Sequence, residues 1–178
     1  PDLPRQALQK LPFALSLDSV NLKRSGIAYW EHAQKGDRPG FLEVNELDAL
    51  VQHISNEKTL ISHWERASIN LNMQIMHTGR LNAIFELPLN SENGEYYYEG
   101  ILDSMDLTKM NPMLEPTAYL KIRSGYAKQI RFKVLGNNDY ATGMMRFYYR
   151  DLKVGVINPE KNNDEGLMSF IANTFVVN

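Results

Sequence analysis

The chain contains no cysteine, no long apolar run and no excess of positive charge. The absence of cysteine excludes disulfide bonds, thiolate metal sites and a cysteine nucleophile. A formal charge of -2, from 19 Lys and Arg against 21 Asp and Glu, has the wrong sign for neutralising many phosphates. We therefore expect no nucleic acid partner. No stretch approaches about 18 consecutive apolar residues, so no segment of this sequence is expected to span a bilayer.

Residues that commonly perform catalysis are present but scattered. The four histidines form no i, i+4 pair and have no zinc-like spacing; they are His32, His53, His63 and His77. Ser169 lacks the flanking glycines of a nucleophile elbow. Asp103 and Asp106 are candidates for a shared cation or an acid–base pair, but loop entry and helix capping are favoured. We predict no catalytic residue, metal site or cofactor, with an unrecognised hydrolase site as the least favoured alternative.

The dominant pattern is alternation of apolar and polar residues, which predicts strands with one buried face. Residues 69–75 and 81–87 alternate in this way around Thr78-Gly79, so they predict a hairpin. Further alternation covers 118–123, 130–134 and 145–149. The parity of the apolar residues changes after Tyr149, which predicts a β-bulge near Arg150-Asp151. The sequence therefore predicts a mostly β, mostly antiparallel domain.

Two segments carry helical signals. A helix-capping Asp106 and a stop at Pro116 predict a short helix near 106–114. Helical spacing of apolar residues predicts a C-terminal helix over 165–178 that docks on the domain. Residues 56–66 suit either a short helix or a loop at a strand edge. With 1–12 as an extended lead-in, we expect one β-rich domain over 1–178.

Basic residues are concentrated in the last third of the chain. If adjacent strands align them, they form a positive patch suited to anionic headgroups or sugars, with candidates Lys121, Arg123, Arg131 and Lys133. The favoured interpretation of such a run is the solvated face of a sheet. The eight methionines suit adaptable apolar surfaces, and core packing is again the favoured interpretation.

Several short motifs follow one another in a familiar order. They are KLPF at 10–13, LDSV at 17–20, GIAY at 26–29, LTKMNPMLEP at 107–116, IRSG at 122–125, ATGMM at 141–145, YYRDLKV at 148–154 and SFIANTFVV at 169–177. This order resembles the C-terminal region of the AsmA-like family, especially its uncharacterised Bacteroidetes members, which are distant relatives of AsmA and TamB. The resemblance covers the chain from about residue 11 to its end.

The resemblance implies a curved antiparallel sheet, or a flattened open barrel, whose apolar inner face carries lipid. It also implies a periplasmic or envelope location in a Gram-negative bacterium, within a parent anchored upstream in the inner membrane. Because residue 1 is Pro, we expect a terminal fragment whose membrane association depends on that missing anchor. The expected partners are phospholipid or fatty acyl chains and the upstream portion of the polypeptide. The family brings no catalytic residues.

On this hypothesis, apolar residues of the central strands form a groove wall that binds acyl chains at roughly 0.8 kcal/mol per buried methylene. The candidates are Leu71, Met73, Phe85, Leu120, Ile122, Phe132, Met145 and Phe147. The same residues would form an ordinary core if the C-terminal helix covers them. The alternative function is a structural or protein-interaction module without a ligand, which pairs with its neighbours through sheet edges.

Overall fold

The computed structural model describes residues 8, 10–33, 38–91 and 93–157. Within them the chain forms eight strands, two helices and one 3₁₀ turn. The strands are β1 (Ser16–Glu31), β2 (Gly40–Ser55), β3 (Arg66–Ile75), β4 (Gly79–Pro88), β5 (Tyr96–Leu102), β6 (Met105–Asp106), β7 (Leu120–Gly136) and β8 (Ala141–Val156). The helices are α1 (Lys58–Trp64) and α2 (Asn111–Ala118), and the 3₁₀ turn is Leu107–Met110. The predicted C-terminal helix at 165–178 and most of the lead-in at 1–12 lie outside the described residues.

All strands belong to one antiparallel sheet that is not closed into a barrel. Sequential strands are neighbours from β1 to β5, and β5 and β6 both pair with the same side of β7. β8 pairs with the other side of β7. In the described part of the chain, β1 and β8 are therefore the long edge strands, and the two-residue β6 pairs only with β7. The mostly β, antiparallel fold predicted from the alternation is confirmed.

Cross-strand register assigns the side chains to two faces. One row runs from Leu71 through Ala83, Gly100 and Phe132 to Met145, and we call its side the apolar face. The neighbouring row runs through Asn70, Ile84, Glu99, Lys133 and Met144, and we call its side the mixed face. Since side chains alternate along each strand, these two rows point to opposite sides of the sheet.

The main core lies at one end of the apolar face. Met105, Leu107, Ile122 and Ala127 are buried together there, and Leu114 of α2 packs against them. A Cβ on Gly40 would lie 2.5 Å from Cγ2 of Thr117, so the missing side chain lets α2 approach β2 closely. Helix α2 and the 3₁₀ turn thus cover this end of the apolar face.

Local hydrogen bonds explain how the helical segment forms and attaches to the sheet. The Asp106 carboxylate accepts from the Thr108 backbone N–H at 3.0 Å and from its hydroxyl at 2.7 Å, which caps the 3₁₀ turn. The Asn111 side chain donates to the Ile122 carbonyl and accepts from its N–H, both at 2.8 Å. Asn111 therefore acts as a strand partner for β7 at the first residue of α2.

The short helix predicted near 106–114 is confirmed, but the predicted stop at Pro116 is wrong. Helix α2 continues to Ala118 and ends at Tyr119, which has left-handed backbone angles and donates its N–H to the Leu114 carbonyl. Pro116 is a buried residue within the helix. Because proline has no backbone N–H, the helix lacks one backbone hydrogen bond at this position. The ambiguous segment 56–66 contains helix α1.

The predicted β-bulge near Arg150-Asp151 is confirmed. Ser124 pairs with Lys153 but Tyr126 pairs with Arg150, so the register shifts between these pairs. Asp151 has a φ of 52°, and its carbonyl accepts from the Ser124 hydroxyl at 2.7 Å. Such a bulge re-aims the following side chains, which explains the parity change seen in the sequence.

Candidate functional site

A groove of about 780 Å³ crosses the mixed face of the sheet. Asn21 and Lys23 of β1 and Met144 and Arg146 of β8 all line it, although these strands are opposite edges of the sheet. The sheet therefore curls toward the mixed face, and we call this concavity the central groove. The apolar face lies on the outer, convex side of the curve.

Apolar side chains form part of the central groove. Leu50 of β2, Ile84 of β4, Ile101 of β5 and Met144 of β8 line it from separate strands. Leu50 is 36% exposed, Ile101 38% and Met144 60%. Single exposed apolar residues are ordinary on protein surfaces, whereas these three share one concave site and together form an exposed apolar patch.

The β7–β8 side of the central groove is basic. Arg131 lies directly opposite Arg146 in the antiparallel register, and Lys133 lies two residues from Arg131 on the same face. Arg131 donates from Nε to Oε1 of Gln129 at 2.6 Å. The ammonium of Lys133 lies 5.0 Å from the centroid of the Tyr97 ring. Among the described residues, no carboxylate forms an ion pair with any of these three cations.

The acidic and amide groups of the central groove are engaged in local contacts. Asp48 accepts from the Arg24 backbone N–H at 2.8 Å, and the Asn72 side chain donates to the Asn82 side-chain oxygen on the next strand. The Glu99 carboxylate is hydrogen-bonded to the Tyr97 hydroxyl, and this hydrogen bond raises the pKa of Tyr97. These contacts leave the terminal N–H groups of Arg131 and the guanidinium of Arg146 without a partner among the described residues.

The eight residues predicted to form an apolar groove are placed together on the apolar face, on the outer side of the curve. Leu71 and Phe132 also border the central groove, but by register their side chains point away from it. Ile122 is buried in the main core, Phe147 packs against it, and Leu120 lies two residues before Ile122 on β7. The remaining three lie on the same face, because each is paired across strands with a residue of that face. The pairs are Met73–Leu81, Phe85–Tyr98 and Met145–Phe132. Helix α2 makes one end of this face into core.

The four predicted basic residues are separated by the structure. Arg131 and Lys133 line the central groove. Lys121 instead lies 3.6 Å from the Glu115 carboxylate of α2, and Arg123 is exposed on the same half of β7. Register shifts between Ile122 and Gln129 divide β7 into two halves, so alternation along the strand did not keep the four together. Arg146 joins the first pair from the neighbouring strand.

Leu50, Ile84 and Ile101 were not predicted as site residues. A signal for them exists, because Ile84 interrupts the polar positions between Asn82 and Glu86 of an alternating strand. An apolar residue among polar ones on the same strand face places an apolar side chain on the side opposite the core. The positions of Leu50 and Ile101 near Ile84 follow from the cross-strand register, which the sequence alone does not give.

The edge strand β1 is a second candidate surface. Both of its faces are largely exposed over 16 residues. Its exposed large apolar side chains are Leu17, Leu22, Ile27, Tyr29 and Trp30. A long exposed edge of this kind is a template for pairing with another strand.

The described residues contain no group of three or more His, Asp or Glu placed to hold a metal ion, and no helix with the length and apolarity needed to cross a membrane. Comparison of the sequence and structure with protein-family models, curated proteins and solved structures finds no match. The resemblance to the AsmA-like family therefore stays a prediction.

Proposed function

We propose that this chain is a non-enzymatic, lipid-handling module of an AsmA-like cell-envelope protein, and that it holds an acyl chain in the central groove. The observation that carries this proposal is the group of exposed apolar side chains inside one concave site, Leu50, Ile101 and Met144. In the proposed setting the module lies in the periplasm, in a parent anchored upstream in the inner membrane.

The size of the central groove suits this ligand. Its volume of about 780 Å³ falls within the roughly 300–1,000 Å³ of ordinary small-molecule sites. Each methylene removed from water contributes roughly 0.8 kcal/mol, so a chain that buries several methylenes gains enough to offset part of the cost of association. A second depression, of about 680 Å³, lies in the next row of the same face, beside Glu86, Tyr97 and Leu135.

The chemistry of the central groove favours binding over catalysis. Asp48 and Glu99 are held by local hydrogen bonds, and no histidine lines the groove in the described chain. His77 lies 3.1 Å from Glu43, and His53 stacks on Trp64, both outside the groove. The groove residues therefore supply apolar contact, amides and fixed positive charge, which suit an amphiphile.

Calorimetric titration with dodecylphosphocholine below its critical micelle concentration tests the proposal. We expect saturable binding, weakened about tenfold by Ile101→Gln because a polar amide then meets the acyl chain. The matched control is Ile27→Gln, since Ile27 is 50% exposed on β1 and does not line the central groove. Absence of saturable binding, or equal weakening by both variants, would refute the acyl site, provided that circular dichroism shows both variants folded.

A second candidate function is pairing through the β1 edge, favoured by its five exposed apolar side chains. In this alternative the upstream portion of the polypeptide adds an antiparallel strand to β1. In the isolated chain a second copy takes that place, because two β1 strands related by a two-fold axis are antiparallel. Sedimentation velocity is expected to show a concentration-dependent dimer that Ile27→Lys abolishes and Ile101→Gln leaves intact. A wild-type monomer at high concentration would reject edge pairing.

A further inference from the structure

Arg131 and Arg146 form an unusual pair in the central groove. They lie directly opposite each other on adjacent antiparallel strands and line the same groove. Opposed residues of this kind have Cβ atoms about 4.5–5.5 Å apart, and like charges placed there are destabilising. The sheet therefore carries an electrostatic cost at this position that a bound anion would remove.

Neither guanidinium is neutralised by the described chain. Arg131 uses Nε for Gln129, which orients its plane and leaves its terminal N–H groups available. The Arg146 side chain has no hydrogen bond or ion pair with any described residue. Lys133 lies opposite Glu99 in the register and over the Tyr97 ring, so its charge is partly balanced. Lys23 of β1 also lines the groove without an ion pair to a described residue, so the arginine pair is the unbalanced positive charge of the β7–β8 side of the groove.

Apolar surface lies directly beside this charge. Arg131 of β7 pairs with Ile101 of β5 on one side and with Arg146 of β8 on the other. One apolar and two basic residues therefore lie side by side across three strands. Two guanidinium groups present planar sets of donors that match the oxygens of a phosphate. An amphiphile with its chain over Ile101 and its head over β7 and β8 satisfies both kinds of surface.

We propose that Arg131 and Arg146 bind the phosphate of an anionic lipid headgroup whose acyl chain occupies the central groove. This inference rests on the proposed function, because it assigns the polar end of the same ligand. The preferred ligand is an amphiphile with a net negative phosphate, in contrast to one whose phosphate is balanced by choline.

The test compares three probes by calorimetric titration of the full chain: dodecyl phosphate, dodecylphosphocholine and inorganic phosphate. Dodecyl phosphate and dodecylphosphocholine share an acyl chain and differ in net headgroup charge. We expect dodecyl phosphate to bind at least about tenfold more tightly than dodecylphosphocholine, and inorganic phosphate to bind far more weakly than either. Arg131→Gln and Arg146→Gln are each expected to reduce that preference to about one- to threefold. Arg123→Gln, the same substitution on β7 outside the groove, is expected to preserve it.

The possible failures are distinguishable. Equal binding of the two amphiphiles, unaffected by Arg146→Gln, would overturn the headgroup site while leaving the acyl site of the proposed function intact. Inorganic phosphate that binds as tightly as dodecyl phosphate would overturn the lipid assignment in favour of a free-phosphate site. If neither amphiphile binds to the folded wild-type chain, the proposed function fails and this inference fails with it. Thermal unfolding of each variant verifies that it is folded.

Discussion

The same alternating strands form two faces that differ in exposure: one is covered by helix at one end, and the other is concave and open to solvent. On the apolar face, Met105 is 2% exposed and Ala127 is fully buried, because the helical segment covers that end. On the mixed face, Ile101 and Met144 are exposed within a concave site that faces away from the core. The face on which an apolar residue lies therefore determines whether its side chain is buried in the core or exposed in the groove. The number of apolar residues in a strand does not distinguish packing from ligand binding.

The largest difference between the two faces is expected when one methionine is truncated on each. Met105→Ala is expected to lower the free energy of unfolding by about 2–5 kcal/mol, since it leaves a cavity in the main core. Met144→Ala, on the mixed face, is expected to change it by less than about 0.5 kcal/mol. Urea denaturation measures both values, and similar losses for the two variants would contradict the division between core and groove.

A smaller effect is expected where the apolar face is closely packed around a glycine. A Cβ on Gly100 would lie 2.5 Å from Cζ of Phe132 and 2.9 Å from the Asn82 carbonyl oxygen. Gly100→Ala is therefore expected to cost about 1–3 kcal/mol through overpacking. Gly26→Ala is the matched control, because its Cβ would meet only the Val44 carbonyl oxygen, at 3.6 Å. A control as destabilised as Gly100→Ala would mean that packing on the apolar face is not responsible.

Removing the cap of the helical segment tests what covers the apolar face. Asp106→Ala is expected to lower stability by about 1 kcal/mol at neutral pH, whereas Asp103→Ala, without a capping bond, is expected to have little effect. Hydrogen bonds from the side chain and the backbone of Thr108 lower the pKa of Asp106. The stabilisation is therefore present above the ordinary aspartate pKa and is lost as pH falls through the lowered one.

Urea denaturation of wild type and Asp106→Ala across the acid range measures this dependence. The difference between the two proteins is expected to shrink with acidification. A difference that stays constant or grows would show that the Asp106 charge does not hold the segment.

The smallest effect is expected at the arginine pair. Arg146→Gln removes a like charge opposite Arg131, so the free energy of unfolding is expected to stay unchanged or rise by roughly 0.2–1 kcal/mol. The gain is expected to decrease in high salt, because exposed charges are screened. Chemical denaturation at low and high salt measures it. A clear loss of stability would show that Arg146 serves the fold, in conflict with a role in ligand binding.

Much of the fold is predictable from local pattern. Period-two alternation identified β3, β4 and most of β7 and β8, and the parity change identified the bulge at Asp151. The sequence predicts the position of the turn between β3 and β4 but not its backbone conformation. Met76 and His77 there both have positive φ, which their residue types do not indicate.

The direction of curvature was not predictable from the same pattern. Alternation divides a strand into two faces but does not specify which face becomes concave, since that depends on the accumulated twist and on bulges in several strands. The candidates Leu71 and Phe132 lie in one cross-strand row, on the outer face of the curve. Arg131 and Lys133 line the same groove, whereas Lys121 lies beside Glu115 because β7 changes register along its length.

Paramagnetic broadening of methyl resonances by a spin-labelled fatty acid, 16-doxylstearate, reports which face of the sheet the acyl chain contacts. If the concave, mixed face is the ligand face, the methyl groups of Leu50, Ile84, Ile101 and Met144 broaden first, while those of Leu71, Met73 and Met105 stay sharp at the same ratio of ligand to protein. Preferential broadening of Leu71 and Met73 would place the acyl chain on the apolar face and contradict acyl binding in the central groove.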